Sequence, residues 1–143
     1  MKIQKSEQNW YMGYIFSREI DGNIIPQKVQ NLVIRDYTQR KKKNFILSST
    51  EYKMKKSFLV LNSLINKKSK KFDGIIIYSL FMLKYHPNLN SLFEKLKKNK
   101  IKLYCALEEL QLTNKNQLDT IKKIFFINKK GMNEKKYKKK WNF

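Results

Sequence analysis

The chain holds one cysteine, Cys105, and one histidine, His86, among its 143 residues. A single thiol excludes an intrachain disulfide, and one cysteine with one histidine cannot furnish a soft four-ligand metal site. The expectation is a reducing, cytoplasmic setting with no metal and no cofactor. Glycine and proline are scarce, at four and two residues. No glycine-rich phosphate loop is present, because GYIFSREIDG has neither dinucleotide-binding nor P-loop spacing. Long apolar runs are missing as well. The longest, Gly74 to Leu83, is interrupted by Tyr78 and Ser79 and is too short to span a bilayer. The amino terminus carries no apolar signal-peptide core, so no membrane span is expected.

Acidic residues are few, 11 against 32 basic ones, for a net charge of +21. Such an excess draws nucleic acid or an anionic surface without any specific site. Only three of the basic residues are arginines, Arg18, Arg35 and Arg40. Lysine, asparagine and isoleucine are all abundant, which A/T-rich coding produces regardless of function. An arginine kept against that trend marks a place for a planar, bidentate donor. Residues 13 to 37 hold two of the three arginines and a single lysine, Lys28.

With 41% apolar and 13% aromatic residues, the chain lies on the folded side of the disorder boundary and is long enough for one domain with a real core. Residues 1 to 11 read as a polar extension, with Met12 as an alternative start. A buried strand, YMGYIFS, is followed by turn chemistry at Asp21, Gly22 and Asn23. Pro26 opens a first helix with Val29, Leu32, Val33 and Tyr37 inward. NFILSST is a second strand, and MKKSFLVLNSLINKK a second helix with Phe58, Leu61, Leu64 and Ile65 inward. FDGIIIYSL is a third strand. NLNSLFEKLKKNK is a third helix, capped by Asn88 or Asn90, with Leu89, Leu92, Phe93 and Leu96 inward. IKLYCAL is a fourth strand, and a fourth helix turns Leu118, Ile121 and Ile124 or Phe125 inward. Residues 12 to 128 thus form one domain, and 129 to 143, with seven lysines and one glutamate, a loose basic tail. The alternation predicts an α/β protein of three layers: a four-stranded parallel sheet with helices on both faces.

Ligands of such sheets bind beyond the carboxyl ends of the strands. Those ends carry Ser17 and Arg18, then Ser49, Thr50 and Glu51, then Tyr78 and Ser79, then Glu108. Hydroxyls beside a guanidinium, with carboxylates opposite, are chemistry for a phosphate or a sugar. Gln27, Gln30 and Asn31, in the first turns of the first helix, are candidates for reading ligand hydroxyls. Each candidate also has a structural reading, as a helix cap or a solvated face. Glu51 and Glu108 are an acid/base pair only if they meet. Ser17 has no evident base, and Cys105, inside a strand, reads as a small core residue.

GYIFSRE, PQKVQNLVIRDY, FILSSTEYKM, FDGIIIYSLFML and LYCALEEL, spread from about Met12 to Ile127, resemble the sporadic carbohydrate cluster proteins of bacteria. That resemblance implies a cytoplasmic protein encoded among surface-polysaccharide or O-antigen biosynthesis genes. Its partner would be a carbohydrate or nucleotide-sugar ligand, or an enzyme of carbohydrate biosynthesis. A more distant resemblance is to the catalytic domain of serine recombinases, carried by GYIFS, the paired glutamines and DGIIIYSLFML with ALEE. That family places an arginine two residues before its nucleophilic serine, where this chain has Ile15. It also carries an acid and two arginines after its third strand, where this chain has LFMLKY. DNA strand exchange is therefore not expected. The expected architecture is resolvase-like or flavodoxin-like. The competing function is a non-catalytic nucleic-acid-binding module related to the serine recombinase fold, and the lysine-rich tail is a further place for non-specific nucleic-acid binding.

Overall fold

A computed structural model describes residues 10–66, 72–112 and 115–140. The chain divides between Thr113 and Asn114 into two compact units.

The first unit contains β1 (Trp10–Ile15), α1 (Gln27–Arg40), β2 (Asn44–Thr50), α2 (Leu59–Asn66) and β3 (Gly74–Ile77). A 3-10 turn (Leu80–Leu83), α3 (Leu89–Lys98), β4 (Lys102–Cys105) and β5 (Leu110–Leu112) complete it. The sheet order is β2-β1-β3-β4-β5. The pairs among β1 to β4 are parallel, as expected, but a fifth strand, β5, runs antiparallel beside β4. The four-stranded parallel sheet is therefore corrected to a mixed one of five strands. LEELQL carries the fifth strand on three residues, too few for a visible alternation.

β1 and β3 occupy the middle of the sheet, and Ile75, Ile76 and Ile77 are fully buried. Side chains alternate across β1. Tyr11 meets Tyr104 edge-on at 5.5 Å between ring centroids, and Tyr37 of α1 lies over the same Tyr104. Tyr14 points the other way, toward the amino end of α2. The strands approach so closely that a Cβ at Gly74 would lie 2.6 Å from the Lys102 carbonyl. Tyr11 is core, and β1 begins at Trp10, so the folded chain includes two residues of the expected extension; residues 1–9 lie outside the described ones.

Most expected elements are present, with one rotated face. β2 is NFILSST as read, Asn88 caps α3 by accepting from the Ser91 amide, and α2 buries Leu61, Leu64 and Ile65. α1, however, buries Gln30, Ile34, Tyr37 and Thr38, leaving Val29 41% and Leu32 60% exposed. The expected stripe of Val29, Leu32 and Val33 lies about a third of a turn from the true one. It is displaced because a polar residue, Gln30, is required inside.

With glycine scarce, other residues take the left-handed backbone positions. Asp21, Lys42, Lys56, Lys100 and Glu109 all have φ between 51° and 62°. Lys42 and Lys100 sit just past the carboxyl ends of α1 and α3, where glycine is the usual residue. The DGN turn is present, with Gly22 at φ 84° and Ile20 bridging Asn23.

The second unit is described by α4 (Lys115–Lys140), with Leu118, Ile121 and Phe125 buried. The lysine-rich segment read as a loose tail is helical to Lys140; residues 141–143 lie outside the described ones. No helix among the described residues is long and apolar enough to cross a membrane.

Candidate functional site

Beyond the end of β1 the chain turns across the amino end of α2. Glu51, just past β2, is 2% exposed. Its carboxylate accepts hydrogen bonds from the Tyr14 hydroxyl at 2.6 Å, the Ser57 hydroxyl at 3.1 Å and the amides of Tyr52, Val60 and Leu61 at 3.0 to 3.3 Å. Val60 and Leu61 are in the first turn of α2, whose amides have no intrahelical acceptor. Glu51 thus caps α2 from nine residues upstream, its charge aligned with the helix dipole. Burial alone would push its carboxyl up, but the bonds from Tyr14 and the three amides outweigh it and hold the group below the usual range. Burial and the Glu51 bond push the Tyr14 hydroxyl well up, so it stays a donor.

Ser17 and Arg18 lie against this network. The Ser17 hydroxyl donates to the Glu51 carbonyl at 3.3 Å. Arg18 is half-buried. Its Nη1 donates to the Tyr52 and Met54 carbonyls at 2.9 and 3.1 Å. Its guanidinium stacks 4.0 Å from the centre of the Phe16 ring and 5.1 Å from that of Phe58. Among the described residues no carboxylate forms an ion pair with it, and Nε and Nη2 make no hydrogen bond. Burial lowers its pKa, against the opposing fields of Tyr14 and Glu51. Arg40, by contrast, is engaged by Asp36 at 2.8 Å and Glu109 at 2.7 Å.

Gln30 is wholly buried. Its Oε1 accepts from the Phe16 amide at 2.9 Å, and its Nε2 donates to the Phe16 and Ile25 carbonyls, each at 2.8 Å. Both backbone groups of Phe16, one residue past β1, are satisfied by one side-chain amide. Gln30 therefore has no group left for a ligand. Asn31 accepts from the Ser48 hydroxyl, tying α1 to the body of β2 rather than to the strand ends. Gln27 and Thr50 are exposed and Ser49 is half-buried.

A second network closes β3 and β4. The Ser79 hydroxyl donates to Glu108 at 2.7 Å and accepts from the Phe81 amide at 3.2 Å, while the Leu80 amide donates to Glu108 at 2.8 Å. Tyr78 is 8% exposed beside it. No described bond or shared partner joins Glu51 to Glu108; each carboxylate holds its own turn. In the LFMLKY stretch, Leu80, Met82 and Leu83 are all buried.

Several site neighbours escaped the sequence reading. Lys84, with its side chain 6% exposed, pairs with Asp21 at 2.9 Å. The His86 ring lies 4.6 Å from Phe58, on which Arg18 also stacks. His86 Nδ1 accepts from the Asn88 amide, and burial followed by the nearby Lys95 charge lowers its pKa. Nothing in a local window marks the Lys84–Asp21 pair or the His86–Phe58 contact, because Asp21 and Phe58 are distant in sequence. Cys105 is a buried free thiol whose pKa is pushed up by burial and by Glu108.

No family profile matches the chain, and no curated protein does, so the carbohydrate-cluster resemblance gains no support from either. Solved structures do match. The likeness is to recombinase catalytic domains. The crystal structure of a resolvase family site-specific recombinase from Streptococcus pneumoniae superposes with a TM-score of 0.56 and 10% identity, over 90% of this chain and 94% of that one. The N-terminal catalytic domain of TP901-1 integrase superposes with a TM-score of 0.51 and 17% identity, over 92% of this chain and 99% of that one. At these identities the likeness establishes a resolvase-like α/β fold and nothing of activity.

Proposed function

We propose that the chain is a ligand-binding protein of surface-carbohydrate biosynthesis whose strand-end edge, beside β1 and β2, receives a sugar phosphate or nucleotide sugar. The observation that carries this reading is Arg18. A half-buried guanidinium, bonded to two carbonyls and set against two aromatic rings, has no hydrogen bond at Nε or Nη2 and no carboxylate ion pair among the described residues. Such a group is preorganised for an oxyanion, and the adjacent Phe16 and Phe58 rings exclude water from one side of it. The carboxylates of the edge are engaged as caps, so the reading is of binding rather than of turnover. The carbohydrate assignment itself rests on the sequence motifs.

Thermal-shift and calorimetric titration with hexose phosphates and nucleotide sugars tests this. Arg18→Lys keeps the charge but loses the fork, and it should weaken binding at least about tenfold while the unliganded protein still folds. Full binding by Arg18→Lys would place the ligand elsewhere. The competing reading, non-specific nucleic-acid binding, is favoured by the ten lysines of α4. Substituted into the same titration, a short DNA duplex would then bind with a steep salt dependence that is indifferent to Arg18.

A further inference from the structure

The outward side of α1 is unusual for this molecule. Val29 and Leu32, one turn apart, are 41% and 60% exposed, and Ile24 just before the helix is 72% exposed. From Glu19 to Asp36 the chain carries Glu19, Asp21, Lys28, Arg35 and Asp36, a net charge of −1 within a protein of +21. An acidic partner or a nucleic acid would be met best by a lysine-rimmed surface. Two copies of the same strongly basic chain repel one another, and they can approach only through a face that lacks that charge.

The charges that remain on the helix are self-complementary. Lys28 and Asp36 stand four residues to either side of Leu32, and both are exposed. Asp36 uses one oxygen on Arg40 and keeps its side chain 65% exposed. When two α1 helices run antiparallel about a two-fold axis passing at Leu32, Lys28 of each copy lies level with Asp36 of the other. The two leucines meet at the axis, with the Val29 side chains flanking them. An isologous contact needs this pairing of i with j and j with i.

We propose that the chain forms a two-fold symmetric homodimer through α1, centred on Leu32 and registered by reciprocal Lys28–Asp36 pairs. The contact is independent of the Arg18 edge. It also accounts for why the apolar stripe read from the sequence is real but faces outward.

Sedimentation of the full-length chain over a wide concentration range, at low and moderate salt, reads the association directly. The dimer should be present in the unsubstituted protein. Leu32→Asp, which sets like charges together on the axis, should weaken it at least about tenfold. Lys28→Glu and Asp36→Lys should each weaken it, and the double variant should restore it. All three positions of change are solvent-exposed, so circular dichroism and melting should show the fold intact in every variant. A chain that stays monomeric throughout would overturn the proposal and leave the face to a different partner. A dimer that survives Leu32→Asp would overturn it as well, and a double variant no better than the singles would refute the register.

Discussion

Replacing Glu51 by alanine separates the two roles that a buried carboxylate at a strand end can have. In this structure the side chain satisfies two hydroxyls and three amides in a place closed to water. Its removal leaves the Tyr14 and Ser57 hydroxyls and the first-turn amides of α2 without an acceptor. An orphaned buried donor costs roughly 1–3 kcal/mol, but partial rearrangement and water entry keep the total near 3–5 kcal/mol. For a unit of this size each kcal/mol moves Tm by about 4 °C, so the melt should fall by roughly 12–20 °C. Glu51→Gln should fare little better, because its amide nitrogen would face donors. The sign of the pH effect follows from the depressed carboxyl. Its stabilisation is complete above the unfolded value of about 4.3 and is lost as pH falls through the lower folded value. Wild type should therefore lose stability steeply on the acid side, and Glu51→Ala less so. Calorimetric melts across that range decide the matter. An alanine variant that melts within about 3 °C of wild type, or above it, would refute the capping role and return Glu51 to the candidates for chemistry.

Two further outcomes follow from the same geometry. Gln30→Leu should cost about 2–4 kcal/mol, because the Phe16 amide and carbonyl lose their partner while the apolar volume is kept; urea denaturation reads this, and a loss under about 1 kcal/mol would argue against the clamp. Lys100→Gly should stabilise the fold by up to about 1 kcal/mol, because it relieves a left-handed lysine after α3; a destabilised variant would show that the lysine stem contributes there.

What could be read in advance was the part dictated by local pattern. NFILSST and GIII are continuous apolar runs, and Asn88 precedes a run with helical spacing, so β2, β3 and the start of α3 were visible in short windows. The α1 face was misread because hydropathy turns a glutamine outward, whereas the Phe16 backbone, 14 residues back, holds Gln30 inside. The cap of α2 was equally hidden: its carboxylate lies on the far side of a loop, and its hydroxyl partner Tyr14 is 37 residues away. β5 is fixed by its pairing with β4 rather than by any pattern of its own.

The same distance dependence explains why the candidate site shrinks when side chains are placed. Ser17, Gln30, Glu51, Ser79 and Glu108 reach one edge, as the strand order requires, yet each is turned inward to close a backbone gap where a strand or turn ends. A polar residue at a strand end can serve either the chain or a ligand, and hydrogen-bond saturation distinguishes the two. By that criterion the carboxylates serve the chain, and Arg18, whose Nε and Nη2 make no hydrogen bond among the described residues, is the residue on which the proposed ligand site rests. The lysine-poor stretch that contains Arg18 also contains α1, so one segment holds both the Arg18 guanidinium and a helix face with few charges. A lysine substituted at Arg18 would lack the fork, and one at Leu32 would place like charges at the two-fold axis.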